Sequence, residues 1–379
     1  MGWSCMPYTL LATKLYLPPT RPTIVRRPRL TARLAEGLQR PLTLVSAPAG
    51  FGKTTLLSEW QATPEGRGNP LAWLSLDDGD NDPGRFWAYV MSALRTLPGL
   101  AGLPAEPDPS SPIDLLLAPL INGLESAAGP HVLVLDDYHV IESAAVHGAV
   151  SFLVEQLPAG MRLVILTRSD PPWPLARLRA NGRIAELRAA DLRFSPEEAT
   201  DFLTQGVGLD LPEGDLAILA QRAEGWIAAL QMAAISLEGH PDPHGFVTAF
   251  SGDNRYIADY LAEEVITRQP EPLRRFLLQA SVLERFCAEL CEAVTLCPDS
   301  RVWLEHIERK NLFLVPLDPT RSWFRFRRIA PDPSAPRGAR GCSHTTQPRL
   351  GLVRRARPVP GGGGAQPRRR GLCPGRRVG

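Results

Sequence analysis

The chain of 379 residues has no apolar run approaching the roughly 18 residues that span a bilayer, so no membrane-embedded role is expected. Its first residues, MGWSCM, have neither the apolar centre and cleavage site of a secretory signal nor the myristoylation pattern, since Met6 stands where Ser or Thr is required. A cytoplasmic location is the resulting expectation. Cysteine is sparse: the six residues include no C-x-x-C pair, and no His lies close to the one tighter group, Cys287, Cys291 and Cys297. That spacing argues against zinc and for thiols buried on a helix, in a reducing compartment.

The last 53 residues lack more. Residues 327–379 contain no Lys, no aromatic residue and one acid, Asp332, against thirteen Arg, a net charge of +12. The remaining 29 basic and 39 acidic residues give the first 326 residues a net charge of −10, although the whole chain carries only +2. Gly, Pro and Arg supply 31 of the 53, and no hydrophobic periodicity survives. Such a composition cannot bury a core, so a disordered basic tail is expected there. It could draw nucleic-acid phosphates, but it has no ring to stack on bases.

What is present centres on residues 41–60, PLTLVSAPAGFGKTTLLSEW. An apolar run at 42–45 meets a small-residue turn at 47–52, and Lys53-Thr54-Thr55 opens a helical pattern. Strand, loop and helix in that order let the backbone curl round a polyphosphate while the first N–H groups of the helix face its charge. Ala49, Gly50, Phe51, Gly52, Lys53, Thr54 and Thr55 are the expected ATP-binding residues. Lys53 would neutralise the β- and γ-phosphates, and the Thr54 hydroxyl would complete the shell of a Mg²⁺ ion. The full signature G-x-x-x-x-G-K-[ST] begins with Gly, where this chain has Ala47.

Further strands are expected at 71–76, 131–140, 162–168 and 184–187, alternating with helices, which implies an α/β fold with a parallel sheet and helices on both faces. HVLVLDDYHV, residues 131–140, is an apolar run that delivers two carboxylates to the edge where open parallel sheets bind ligands. Asp136 would hold the Mg²⁺, and Asp137 would polarise the attacking water. RLVILTR places Arg168 where a γ-phosphate sensor would sit, with a plain surface Arg as the alternative. The acidic turn DDGDNDPGRF imitates a calcium loop, but Pro83 stands where its Gly is needed and Tyr89 where its bidentate Glu is needed. Upstream, residues 1–40 give an extended, proline-bearing segment and a short helix, a brace or a contact for a nucleotide base.

Ser195-Pro196-Glu197-Glu198 is a strong helix start, and from it the chain turns helical. Trp226 is expected in the core. Helices followed by a short hairpin across Asp318-Pro319-Thr320 outline a winged helix without a basic recognition face, which suits packing or regulation better than DNA binding. The expected division is 1–40 brace, 41–194 P-loop ATPase, 195–252 helical lid, 253–326 winged-helix-like domain and 327–379 tail.

With these residues in place the chain resembles the signal-transduction ATPases with numerous domains, and among them the MalT-type, LuxR-family transcriptional regulators. The resemblance runs from about residue 10 to 326 and rests on LLATKLYLPP, VRRPRL, SAPAGFGKTTLLSEW, WLSLD, VLDDYHVI, LTRSDPPWPLARLRA, ELRAADLRFSPEEA, EGWIAALQMAA and NLFLVPLD before WFRF. Members of this family also tend to carry Ala at position 47. The resemblance implies a slow ATPase, with Lys53, Thr54, Asp136 and Asp137 carried over, Arg168 as sensor, and a winged helix that closes over the nucleotide. It further implies that ATP and an inducer drive self-association and that hydrolysis to ADP resets the switch. DNA is bound through a C-terminal helix-turn-helix that follows a helical-repeat sensor in the family. Neither follows WFRF here, where RRIAPDPSAPRGARGCSHTT replaces the expected His-containing helix and looks like GC-rich coding sequence read out of frame. A frameshifted or truncated end is therefore expected. The competing functions are a nucleic-acid-binding protein acting through its Arg-rich tail and a non-functional fragment.

Overall fold

The computed structural model describes residues 9–19, 25–103, 113–127, 129–250, 255–262, 266, 267, 269–283, 285–310, 312, 314–318 and 320–326. The expected disordered tail at 327–379 lies outside the described residues. In chain order the first elements are α1 (Pro28–Gly37), β1 (Leu42–Ser46), α2 (Lys53–Gln61), α3 (Pro64–Arg67), β2 (Leu71–Ser75), α4 (Pro83–Leu94), α5 (Ile113–Glu125) and β3 (His131–Asp136). They are followed by α6 (Ala144–Glu155), β4 (Met161–Thr167), α7 (Leu175–Ala180), β5 (Ile184–Arg188) and α8 (Ala189–Leu192).

The five strands form one parallel sheet in the order β2-β3-β4-β1-β5. Alternate strand residues feed two separate cores, as the two-residue period of a strand requires. Leu44, Leu74, Leu133 and Ile165 face one cluster, which contains Phe86 and Trp87 of α4 and Val150 of α6. Val45, Trp73, Val134 and Val164 face the other, which contains Leu34 of α1 and Leu57 of α2. The expected parallel sheet with helices on both faces is what the chain forms.

A second helical series follows: α9 (Pro196–Asp201), α10 (Glu213–Ala223), α11 (Ile227–Leu237), α12 (Pro243–Ala249) and α13 (Arg255–Leu261). Its start has the expected reciprocal cap, with the Glu198 N–H donating to Ser195 Oγ and the Ser195 N–H to Glu198 Oε2, both at 3.1 Å. Leu219, Trp226 and Leu230 of this series share the second core with Ala47 and Phe51 of the loop after β1. The helical series is therefore packed onto the loop through continuous apolar surface.

The last described elements are α14 (Glu271–Ala280), α15 (Ala288–Thr295), α16 (Ser300–Arg309), β6 (Leu314–Pro316) and β7 (Phe324–Phe326). They enclose a third core around Phe276, Phe286, Leu304 and Phe324. β6 and β7 pair antiparallel, and Asp318 ties the turn by accepting from the Ser322 N–H at 2.8 Å. Phe286 adds an antiparallel bridge to Phe324, so helices capped by a small sheet give the expected winged-helix outline. Of the clustered cysteines, Cys291 is buried in this core, whereas Cys287 and Cys297 are half-buried.

Two local expectations are corrected. β3 stops at Asp136 instead of running to residue 140, because Asp137 adopts a left-handed φ of 56° and the chain then enters a 3₁₀ turn, Tyr138–Val140. The N-terminal segment is not extended throughout either. It makes a 3₁₀ turn at Ala12–Leu15, with Lys14 drawn inward by Asp80.

Candidate phosphate-binding site

The sheet order decides what meets at the C-terminal edge. β4 lies between β1 and β3, and Ser46 pairs with Thr167 on one side and Arg188 on the other. The loop after β1 therefore opens beside the end of β4 and within reach of the acidic end of β3.

Ala47 prolongs the strand, its N–H donating to the Thr167 carbonyl at 3.2 Å. Positive φ falls at Gly50 (72°) and Gly52 (73°), not at Ala47, so a side chain is tolerated where the motif has its first Gly. Gly50 is doubly constrained. A Cβ there would lie 2.5 Å from Ala228 Cβ and 2.8 Å from Trp226 Nε1. The Phe51 side chain is buried in the second core, so that residue could serve a phosphate only through its backbone.

Lys53 is 7% exposed, and its ammonium donates to the carbonyls of Ala47 (2.8 Å) and Pro48 (3.0 Å). Burial lowers its pKa to about 8; Arg168 pushes in the same direction, while Asp137 and Asp136 oppose it. The Thr54 hydroxyl donates to Asp136 Oδ2 at 2.9 Å. Asp136 is itself buried, its pKa raised to about 6 by desolvation and then by Asp137. Its other oxygen accepts from the Asp137 N–H at 2.9 Å. Asp137 leaves its side chain 47% exposed, with Oδ1 3.7 Å from His139 Nδ1. Arg168 is half-buried at the end of β4, and Thr55 is exposed on the first turn of α2.

These residues fit a nucleoside triphosphate with Mg²⁺. A buried cation, a hydroxyl and a carboxylate converge at the start of a helix whose N–H groups face outward, which is the donor set that polyphosphate and a hard cation require. Behind the loop, Gly50, Gly52, Thr54 and Thr55 line one end of a cavity of about 500 Å³ whose other walls include Pro19, Val25, Leu30, Phe202 and Ile227. Its apolar walls suit a flat heterocycle.

Several parts of this site were not apparent from the sequence. Trp226 is fully buried, as expected of a core residue, yet its indole N–H also donates to the Ala49 carbonyl at 3.0 Å. The Ala228 N–H donates to the Gly50 carbonyl at 3.3 Å. The start of α11 thus holds two consecutive loop carbonyls. Arg27, beside the cavity, donates to the Leu192 and Arg193 carbonyls (2.8 Å each) and to Glu198 (3.1 Å). The only sequence signals were the Arg-rich VRRPRL and the EGW triplet, neither of which names its distant partner.

Residues 262–332 match the MalT winged helix domain. The HTH-type transcriptional regulator MalT of Yersinia enterocolitica is 33% identical over 327 residues, 84% of this chain and 36% of that protein. The chain is a relative of the MalT-type regulators. The serine/threonine-protein kinase PknK of Mycobacterium tuberculosis is 35% identical over 333 residues, 86% of this chain and 30% of that protein. The chain thus spans about a third of the length of these relatives. Among solved structures, a signal transduction ATPase with a tetratricopeptide-repeat sensor from Pyrococcus horikoshii aligns with 82% of this chain and 42% of its own, at 14% identity and a TM-score of 0.40. Among the described residues, no helix is long and apolar enough to cross a membrane.

Proposed function

We propose that residues 1–326 act as the ATP-binding switch of a LuxR-family, MalT-type transcriptional regulator, in which slow hydrolysis controls self-association and transcription activation. The observation that carries this reading is the convergence of the buried Lys53 ammonium with the Thr54–Asp136 pair at the C-terminal edge of the parallel sheet. Residues 41–194 would then be the ATPase unit, 195–252 the helical lid and 253–326 the winged helix.

Lys53 and the N–H groups of residues 49–55 bind the phosphates, and the cavity walls hold the base. Thr54 and Asp136 would hold Mg²⁺, which would supply neutralisation of phosphate charge. Asp137 orients the attacking water and Arg168 senses the γ-phosphate. The grip of Trp226 and Ala228 on the loop carbonyls supports a coupling between loop and lid. Whatever the phosphates do to the loop carbonyls alters these two hydrogen bonds, which biases the lid between a closed ADP form and an open ATP form.

Titrating ATP into the purified chain with Mg²⁺ by calorimetry tests the foundation of this reading. One saturable site with low-micromolar affinity, weakened at least about tenfold in EDTA, is expected. No saturable heat up to millimolar ATP would overturn it.

A further inference from the structure

The chain contains three lysines, Lys14, Lys53 and Lys310, and Lys14 is the second that is buried, at 8% exposure. A lysine is almost never buried without partners, and Lys14 has several. Its ammonium is hydrogen-bonded to the fully buried Asp80, lies 3.1 Å from Asp77 and sits 4.3 Å from the centre of the Tyr89 ring. The Leu11 N–H donates to the Tyr89 hydroxyl at 3.0 Å, a second tie between the same segment and α4. Nothing in the phosphate-binding chemistry uses this cluster.

Its consequence lies four residues further on. Pro18 and Pro19 line the cavity beside the loop, and the Pro18 carbonyl accepts from Ser58 Oγ on α2 at 2.8 Å. The segment is therefore a strap, anchored beside β2 by Lys14 and on α2 by Ser58, with the two prolines between Lys14 and the rest of the cavity wall. Four residues of extended chain reach at most about 14 Å, so an anchor at Lys14 restricts where the prolines can sit. Prolines have little backbone freedom of their own, and a tethered pair makes a stiff apolar surface.

We propose that Lys14 is a positioning residue for the base end of the cavity: it holds Pro18 and Pro19 as the wall against which a nucleobase packs. This inference rests on the nucleotide reading of the site. It makes the strap a determinant of affinity for the base and leaves the phosphate loop untouched.

Lys14→Met keeps the aliphatic stem and leaves Asp80 paired with Arg85, whose Nε lies 3.2 Å away. Ser58→Ala releases the strap at its other end and introduces the best helix former, which protects the fold. The test is calorimetric binding of Mg-ATP and of inorganic tripolyphosphate with Mg²⁺ to the unchanged chain, Lys14→Met, Lys14→Arg and Ser58→Ala. Lys14→Met and Ser58→Ala are expected to lose about tenfold in ATP affinity, the scale of one apolar wall, while tripolyphosphate binding stays within about twofold. Lys14→Arg, which keeps the charge, retains most of the ATP affinity. Equal losses for both ligands, or unchanged ATP binding in both strap variants, would overturn the inference alone. An unchanged chain that binds neither ligand would overturn the nucleotide reading and this inference with it.

Discussion

Lys53→Ala is expected to weaken Mg-ATP binding by about 100-fold while leaving the fold intact. The ammonium is a desolvated cation whose partners are two backbone carbonyls, and Arg168 adds like charge. Phosphate oxygens would replace those neutral acceptors with charged ones. Charge-assisted hydrogen bonds contribute about 1.5–3 kcal/mol each, so losing one or two costs about 3 kcal/mol, or two orders of magnitude in affinity. Stability should respond differently. The substitution removes a buried charge and places Ala on the first turn of α2, so the melting temperature should stay within about 3 °C. Calorimetry and thermal unfolding on the same preparation separate the two effects. Unchanged ATP affinity in a folded variant would remove Lys53 from the phosphate site.

Asp137→Asn is expected to lower phosphate release by about 10²–10³-fold in single-turnover assays, with ATP affinity kept within about threefold. The choice of Asn follows from the backbone. Asp137 has a φ of 56°, and Asn is among the few side chains that tolerate the left-handed region, whereas Ala there would be strained. The variant keeps the shape of the turn that ends β3 and removes the carboxylate that would polarise water. Asp136 keeps its hydrogen bonds from Thr54 and from the residue 137 N–H. Phosphate release at the rate of the unchanged chain would assign water activation to another residue.

What the sequence made legible was local. The phosphate loop, the acidic end of β3 and the Ser195 cap are each encoded within a few residues, where strand period, helix start and turn chemistry act directly. The one apparent flaw in the motif, Ala47, has a local explanation too, since the positive φ values fall at Gly50 and Gly52. The premature end of β3 was missed because an apolar run followed by DDYHV carries no breaker such as Gly or Pro. Long-range pairing was not legible. The placing of β4 between β1 and β3 depends on strands far apart in the chain, and no residue pattern specifies it. The Trp226 indole reaches Ala49 across 177 positions and Arg27 reaches Glu198 across 171. Periodicity assigned Trp226 to the core, which accounts for its burial but not for its indole N–H, a donor that needs a partner once buried. Lys14 shows the same limit: LLATKL reads only as part of an extended, proline-bearing segment until Asp80 and Tyr89 are brought beside it.

Coupling of the loop after β1 to the start of α11 is the centre of the proposed switch, and hydrogen exchange of the backbone amides of residues 224–231 tests it most directly. The Asp137→Asn chain, which is expected to hold ATP without consuming it on the time scale of the experiment, is compared in Mg-ADP and in Mg-ATP. The Ala228 amide, bonded to the Gly50 carbonyl, and its neighbours are expected to exchange at least about tenfold faster with ATP than with ADP. Identical exchange in the two nucleotides, with both shown to be bound, would contradict a switch that works through this contact.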